Sequence, residues 1–271
     1  MKARLIVAAV GLPLLLALLC FAPPWAVTLL FSAVTALGSW ELYHILHIEK
    51  RLGALVLTMA CSVGVQFTVY FRGYGETVYL FLPFMLLLFA CWVAYYEREE
   101  PFGIEGLAAS LFSGVFVALG LGAMTALRRS ERRGSLLVLA PLVVCFLGDS
   151  GAYFAGRALG KRKMSPRTSP NKTVAGLVGG LSASALGMVI YGLVLRAFGL
   201  SGSLWKLAVV GLLAGVAEQL GDLSFSLIKR HAGAKDYGNL LPGHGGAYDR
   251  FDSAAFAAPT VLALLKLLEV F

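Results

Sequence analysis

Charged side chains crowd two short stretches of an otherwise apolar chain, and the chemistry they could do is phosphate chemistry. The first runs from Ser226 to Asp252 and holds Lys229, Arg230, Lys235, Asp236, the run Pro242-Gly243-His244-Gly245-Gly246, Asp249, Arg250 and Asp252. Asp249 and Asp252 are three apart, so a helix starting near Tyr248 puts both on one face of its first turn. Asp222 lies near the end of the preceding apolar run, with Glu218 one turn deeper on the same face. Carboxylates gathered at one place repel each other unless a cation sits among them. Hard oxygen donors suit Mg²⁺, which keeps several waters and takes further ligands from substrate phosphates. Lys229, Arg230, Lys235 and Arg250 supply the positive charge expected where a metal and a polyphosphate meet. Pairing of each acid with a neighbouring base is the plainer alternative, and Arg250 between the two aspartates allows it. The glycine-rich run lets backbone N–H groups approach an anion, or simply turns the chain.

The second stretch begins at Asp149-Ser150 and continues through Arg157, Lys161, Arg162, Lys163, Ser165, Arg167, Thr168 and Ser169 to Lys172-Thr173. Asp149 falls inside an apolar run, where an ionisable side chain is costly and marks a functional site by default. Six basic residues with interspersed hydroxyls then read as a phosphate-binding loop, or as a basic loop resting on anionic lipid. Lys172-Thr173 opens the next apolar run, so a helix N-terminus there could also face an anion.

The elements that position these residues are membrane helices. Of 271 residues, 58% are hydrophobic and 14% charged, and the mean hydropathy is +0.79. Runs of about 20 apolar residues span a bilayer and must satisfy their backbone groups internally, hence as helices. The apolar runs predict an all-α polytopic protein with about nine spans, near 4–21, 25–43, 52–71, 77–96, 104–127, 136–156, 173–198, 204–228 and 254–271. With no internal repeat, the chain reads as a single transmembrane domain, with N-terminal helices to about 130 and motif-bearing helices from about 136. The first run resembles a secretory signal, but Leu19 before Cys20 is too large for lipoprotein cleavage, so it reads as a retained span.

The net charge of +8 lies between the apolar runs, which favours orientation and phosphate binding over nucleic acid. With the N-terminus cytoplasmic, 15 of the 23 basic residues fall inside, and both charged stretches share that side. The outward loop holding Arg128, Arg129, Arg132 and Arg133 runs against the trend. Cys20, Cys61, Cys91 and Cys145 lie in apolar runs without a CxxC pair, and no histidine has a cysteine at zinc-ligand spacing.

The stretch from Ser226 to Asp252 resembles the signature of the phosphatidate cytidylyltransferase family. The matching elements are a serine, Lys229-Arg230, Lys235-Asp236, Pro242-x-His244-Gly245-Gly246 and Asp249-Arg250-x-Asp252. Asp149-Ser150 and Ser169-Pro-x-Lys172-Thr173 are similar to its second motif, and Ala175 stands where the family usually has Glu. The resemblance implies a nucleotidyltransferase of phospholipid biosynthesis in the bacterial inner membrane, its site facing the cytoplasm. It would consume CTP and phosphatidate and release pyrophosphate and CDP-diacylglycerol. It implies Mg²⁺ on Asp222, Asp249 and Asp252, with a monovalent cation such as K⁺ sharing the centre, and a homodimer. Catalytic roles fall to Lys229, His244, Asp249 and Arg250. Substrate contacts fall to Asp149, Ser150, Ser165, Arg167, Ser169, Lys172, Thr173, Arg230, Lys235, Asp236, Gly245 and Gly246. An ion-coupled transporter and another CTP-using lipid enzyme, such as a polyprenol kinase, remain as competing readings.

Overall fold

The computed structural model describes residues 2–98, 102–131, 133–239 and 245–271, with the backbone alone for 2–9. Helices dominate: α1 (Lys2–Phe21), α2 (Pro24–Ile45), α3 (Leu52–Phe71), α4 (Val78–Glu97), α5 (Ile104–Leu111), α6 (Ala118–Arg128), α7 (Gly134–Leu137), α8 (Ala140–Leu159), α9 (Val174–Ala197), α10 (Leu204–His231) and α11 (Tyr248–Leu267). A π-helical turn at Phe112–Val117 joins α5 to α6 in one rod. Between α8 and α9 the expected loop is instead an antiparallel hairpin of β1 (Lys163–Ser165) and β2 (Ser169–Thr173). Lys163 pairs with Thr173 and Ser165 with Ser169.

Among the described residues, seven helical stretches are long and apolar enough to cross a membrane: 24–45, 52–71, 74–97, 104–128, 134–159, 174–197 and 204–231. These match seven of the nine expected spans. In α1 the apolar stretch with described side chains, Val10–Phe21, is shorter. α11 carries Asp249, Arg250, Asp252 and Lys266 and begins at Tyr248, as the spacing of Asp249 and Asp252 suggested, six residues before the span expected from 254. The protein is thus all-α and polytopic, and among the described residues seven of the expected nine spans meet the criterion of length and apolarity.

The chain packs as two compact units, one of residues 1–126 with 231–251 and the other of 127–230 with 252–271. In the first, Tyr43, Leu55, Phe84, Leu88 and Leu107 build an apolar core from α2, α3, α4 and α5. Polar glue runs through it. Ser39 and Ser113 hydroxyls meet at 2.7 Å, and Ser113 meets the Tyr248 hydroxyl at 2.6 Å. Tyr43 meets Thr58 at 3.0 Å and also Ser110. Where lipid tails are as apolar as leucine, small residues and hydroxyls of this kind hold helices together. Leu82, Leu86, Phe89 and Val93 form an exposed stripe on α4, suited to lipid.

In the second unit α8 and α9 touch backbone to backbone. A Cβ at Gly151 would lie 2.7 Å from the Gly179 carbonyl oxygen, and one at Gly179 2.9 Å from that of Gly151. α10 packs on α9 in the same way, since a Cβ at Gly211 would meet the Ser184 carbonyl at 2.5 Å. Thr173 caps α9, its Oγ1 accepting from Gly176 N–H at 3.0 Å. The glycine seam and this cap hold the hairpin over the ends of α8 and α9.

Candidate active site

Three helices and the hairpin bring together a cluster of charge in the second unit. Lys172, on β2, forms a salt bridge with Asp222 of α10 and donates to Gln219 Oε1 at 2.9 Å. Gln219 in turn donates to Glu218 Oε2 at 3.0 Å. Glu218 is 1% exposed. It reaches α8 because residue 148 is glycine, where a Cβ would lie 3.2 Å from Glu218 Oε2. Asp149 is within hydrogen-bond reach of Glu218 and within electrostatic reach of Asp222 and Lys172. Asp252 of α11 is within electrostatic reach of the buried Cys145, as Asp149 and Glu218 are. Asp149, Glu218 and Asp222 therefore lie within electrostatic reach of one lysine, and acids so placed need positive charge among them.

A cavity of about 460 Å³ opens beside the cluster. Asp149, Arg157, Lys163, Asn171, Lys172 and Gln219 give it its polar wall. Of the expected contacts, Asp149, Lys172 and Thr173 line it. Ser165, Arg167 and Ser169 stand toward the hairpin tip, away from that wall. Ser150 donates to the Phe146 carbonyl of its own helix at 2.7 Å. Lys229 and Arg230 close the C-terminal end of α10.

The signature aspartate Asp249 belongs to the first unit and is 8% exposed. Its Oδ2 accepts from the Tyr237 N–H at 2.7 Å and from the Gly246 N–H at 2.9 Å. Gly245 takes φ +82°, and a Cβ there would lie 2.7 Å from Asp249 Oδ2, so both conformation and space require glycine. Arg250, Lys235 and Asp236 are exposed in the same unit. His244 lies outside the described residues.

Two participants were not singled out in the sequence as site residues. Gln219 has no charge to mark it. Glu41 is 2% exposed near the C-terminal end of α2, and its carboxylate accepts from the Ala247 N–H at 2.9 Å and the Tyr248 N–H at 3.3 Å. Its signal was available: an acid inside an apolar span.

The carboxylate cluster suits Mg²⁺ by donor chemistry. Among the described residues no three His, Cys, Asp or Glu side chains form a ligand set by themselves. Mg²⁺ does not require one, since it binds through one or two carboxylates with water and substrate phosphate completing the shell.

Membrane-spanning helices, a basic hairpin and an acid–lysine cluster beside a cavity belong to a polytopic membrane enzyme. The chain belongs to the cytidylyltransferase family, whose sequence profile matches residues 2–268. It is 34% identical over 245 residues to the phosphatidate cytidylyltransferase of Bacillus subtilis (strain 168), which covers 86% of this chain and 87% of that protein. Phosphatidate cytidylyltransferases of Staphylococcus saprophyticus and Brucella suis are 40% and 44% identical over 168 and 152 residues. The first match covers 62% of each chain, the second 56% of this one and 53% of its relative.

Proposed function

We propose that this chain transfers the cytidylyl group of CTP to phosphatidate, giving CDP-diacylglycerol and pyrophosphate. The observation that carries the reading is the Lys172–Gln219–Asp222 cluster beside a polar cavity, in a chain of this family. A phosphatidate oxygen is already a competent nucleophile. It forms a bond to the α-phosphorus of CTP, the bond to the bridging oxygen breaks, and pyrophosphate leaves with the electron pair. Little covalent help is needed, so the protein's work is positioning and neutralising charge.

Lys172 sits at the cavity wall, where its ammonium can take up phosphate charge, while Gln219 and Asp222 fix its direction. Arg157 and Lys163 add positive charge around the same space. Asp222 and Asp252, with Asp149 beside them, would hold Mg²⁺, which when bound polarises phosphate oxygens and stabilises the leaving group. The signature residues Asp249 and Arg250 are required for turnover as well, a role resting on the sequence motif. The excess of basic residues in these loops supports a cytoplasmic position for the charged stretches at a bacterial inner membrane, where CTP is available. The family resemblance supports a homodimer.

Incubating the purified protein in phosphatidate vesicles with CTP labelled in the cytidine, with and without Mg²⁺, tests the proposal. Label should enter the lipid extract and pyrophosphate should appear in equal amount. Release of labelled CDP with an unlabelled lipid would make it a kinase. Absence of any lipid product, with ion flux in the same vesicles, would make it a transporter.

A further inference from the structure

We infer that Glu41 is a positioning residue for this transfer, fixing the start of α11 and so the placement of Asp249 and Arg250. The inference rests on the reading that those two residues serve turnover.

The first N–H groups of any helix lack intrahelical partners and carry the positive end of its dipole. The usual remedy is a local Ser, Thr, Asp or Asn cap. Here the residue before α11 is Ala247, which has no side chain to offer. The cap comes from α2 instead, 206 residues earlier in the chain: Glu41 Oε1 takes the Ala247 N–H and Oε2 the Tyr248 N–H. The chain presses on that carboxylate from two sides. A Cβ at Gly238 would lie 2.6 Å from Glu41 Oε1, and one at Gly246 would overlap the same carboxylate.

Asp249 completes the arrangement by gathering the N–H groups of Tyr237 and Gly246. Two buried acids thus bind four backbone amides on both sides of the glycine segment. A serine at position 247 would reach the N–H of Asp249 or Arg250, not those of Ala247 and Tyr248 that Glu41 takes, though it would avoid the cost of burying a charge. What a local cap would not provide is a fixed register between α2 and the first turn of α11. That register is what the distant carboxylate supplies, and Asp249 and Arg250 are the next two residues after Tyr248.

The full-length variants Glu41→Gln and Glu41→Asp test this, assayed in phosphatidate vesicles for kcat and for KM toward CTP. Thermal unfolding and amide exchange over residues 245–251 are measured beside them. Gln keeps the shape but turns an amine toward one of the two N–H donors. Glu41→Gln should lower kcat about 100-fold, since small misplacement of a reacting group costs that much, with KM changed less than about threefold. Its unfolding midpoint should stay near wild type, exchange should rise only in 245–251, and Glu41→Asp should recover part of the rate. A kcat for Glu41→Gln within about threefold of wild type would overturn the inference. So would a loss that follows lowered stability, with exchange raised across the whole chain. Failure of the wild-type chain to label lipid would instead overturn the functional reading, and the exchange measurement would still decide whether Glu41 holds α11.

Discussion

Lys172 is held by two partners of different kinds, a carboxylate and an amide, and that fixes its role. Asp222 neutralises the ammonium and Gln219 sets its direction toward the cavity. Lys172→Met keeps the length of the side chain and removes the charge. It should lower kcat about 10²–10³-fold, the usual loss for one charge-stabilising donor, while Lys172→Arg retains part of the rate. A kcat within about threefold of wild type would make Lys172 a structural tie only. Asp249→Asn replaces the oxygen that gathers Tyr237 and Gly246, or the one opposite it, with an amine. It should abolish CTP incorporation while the protein still runs as a folded species on gel filtration, and full activity would remove Asp249 from the machinery. At this scale the charged residues were legible because an acid or a lysine in an apolar chain stands out. Gln219 was not, because an uncharged amide gains meaning only from the lysine it faces. Glu41 was not singled out although an acid within an apolar run carries a signal, and its role as a cap was out of reach because its partners are more than 200 residues away.

The α8–α9 pair is the element on which the cavity depends. Its seam excludes side chains, so Gly179→Leu must force the backbones apart. Overpacking of this sort typically costs about 1–3 kcal/mol, and a lower unfolding midpoint together with lost activity is the expected result. Thr173→Ala removes the α9 cap and should cost about 1 kcal/mol, with Thr173→Ser close to wild type in the same melting assay. The apolar runs announced these helices clearly, and seven boundaries came within a few residues. The hairpin was not legible. Pro166 and Pro170 disguise a pair of strands as a loop, and only the cross-strand pairing of Lys163 with Thr173 makes them strands. The apolar run put the last span from 254, whereas the spacing of Asp249 and Asp252 pointed to a helix starting near Tyr248, and that is where α11 begins.

For the molecule as a whole, the proposed orientation has a direct check. The four native cysteines, Cys20, Cys61, Cys91 and Cys145, lie on α1, α3, α4 and α8. In a background where they are replaced by alanine, a Ser165→Cys variant should react with a membrane-impermeant maleimide in inside-out vesicles and stay unlabelled in intact cells. The opposite pattern would put the hairpin outside and reverse the topology. The competing transporter reading loses its footing at this scale too, because the family is one of transferases.

Nearly all of the cavity wall comes from a single unbroken stretch of polypeptide, from Asp149 to Leu177, with Gln219 as the late addition. During synthesis, a ribosome therefore releases α8, the hairpin and α9 in succession, so the walls emerge together before α10 exists. Lys172 is made first and waits for Asp222 and Gln219 to be translated about 50 residues later, roughly a few seconds at ordinary elongation rates. Its ammonium finds those two partners only once α10 has entered the bilayer beside α9, which makes arrival of that helix the step that completes the cluster.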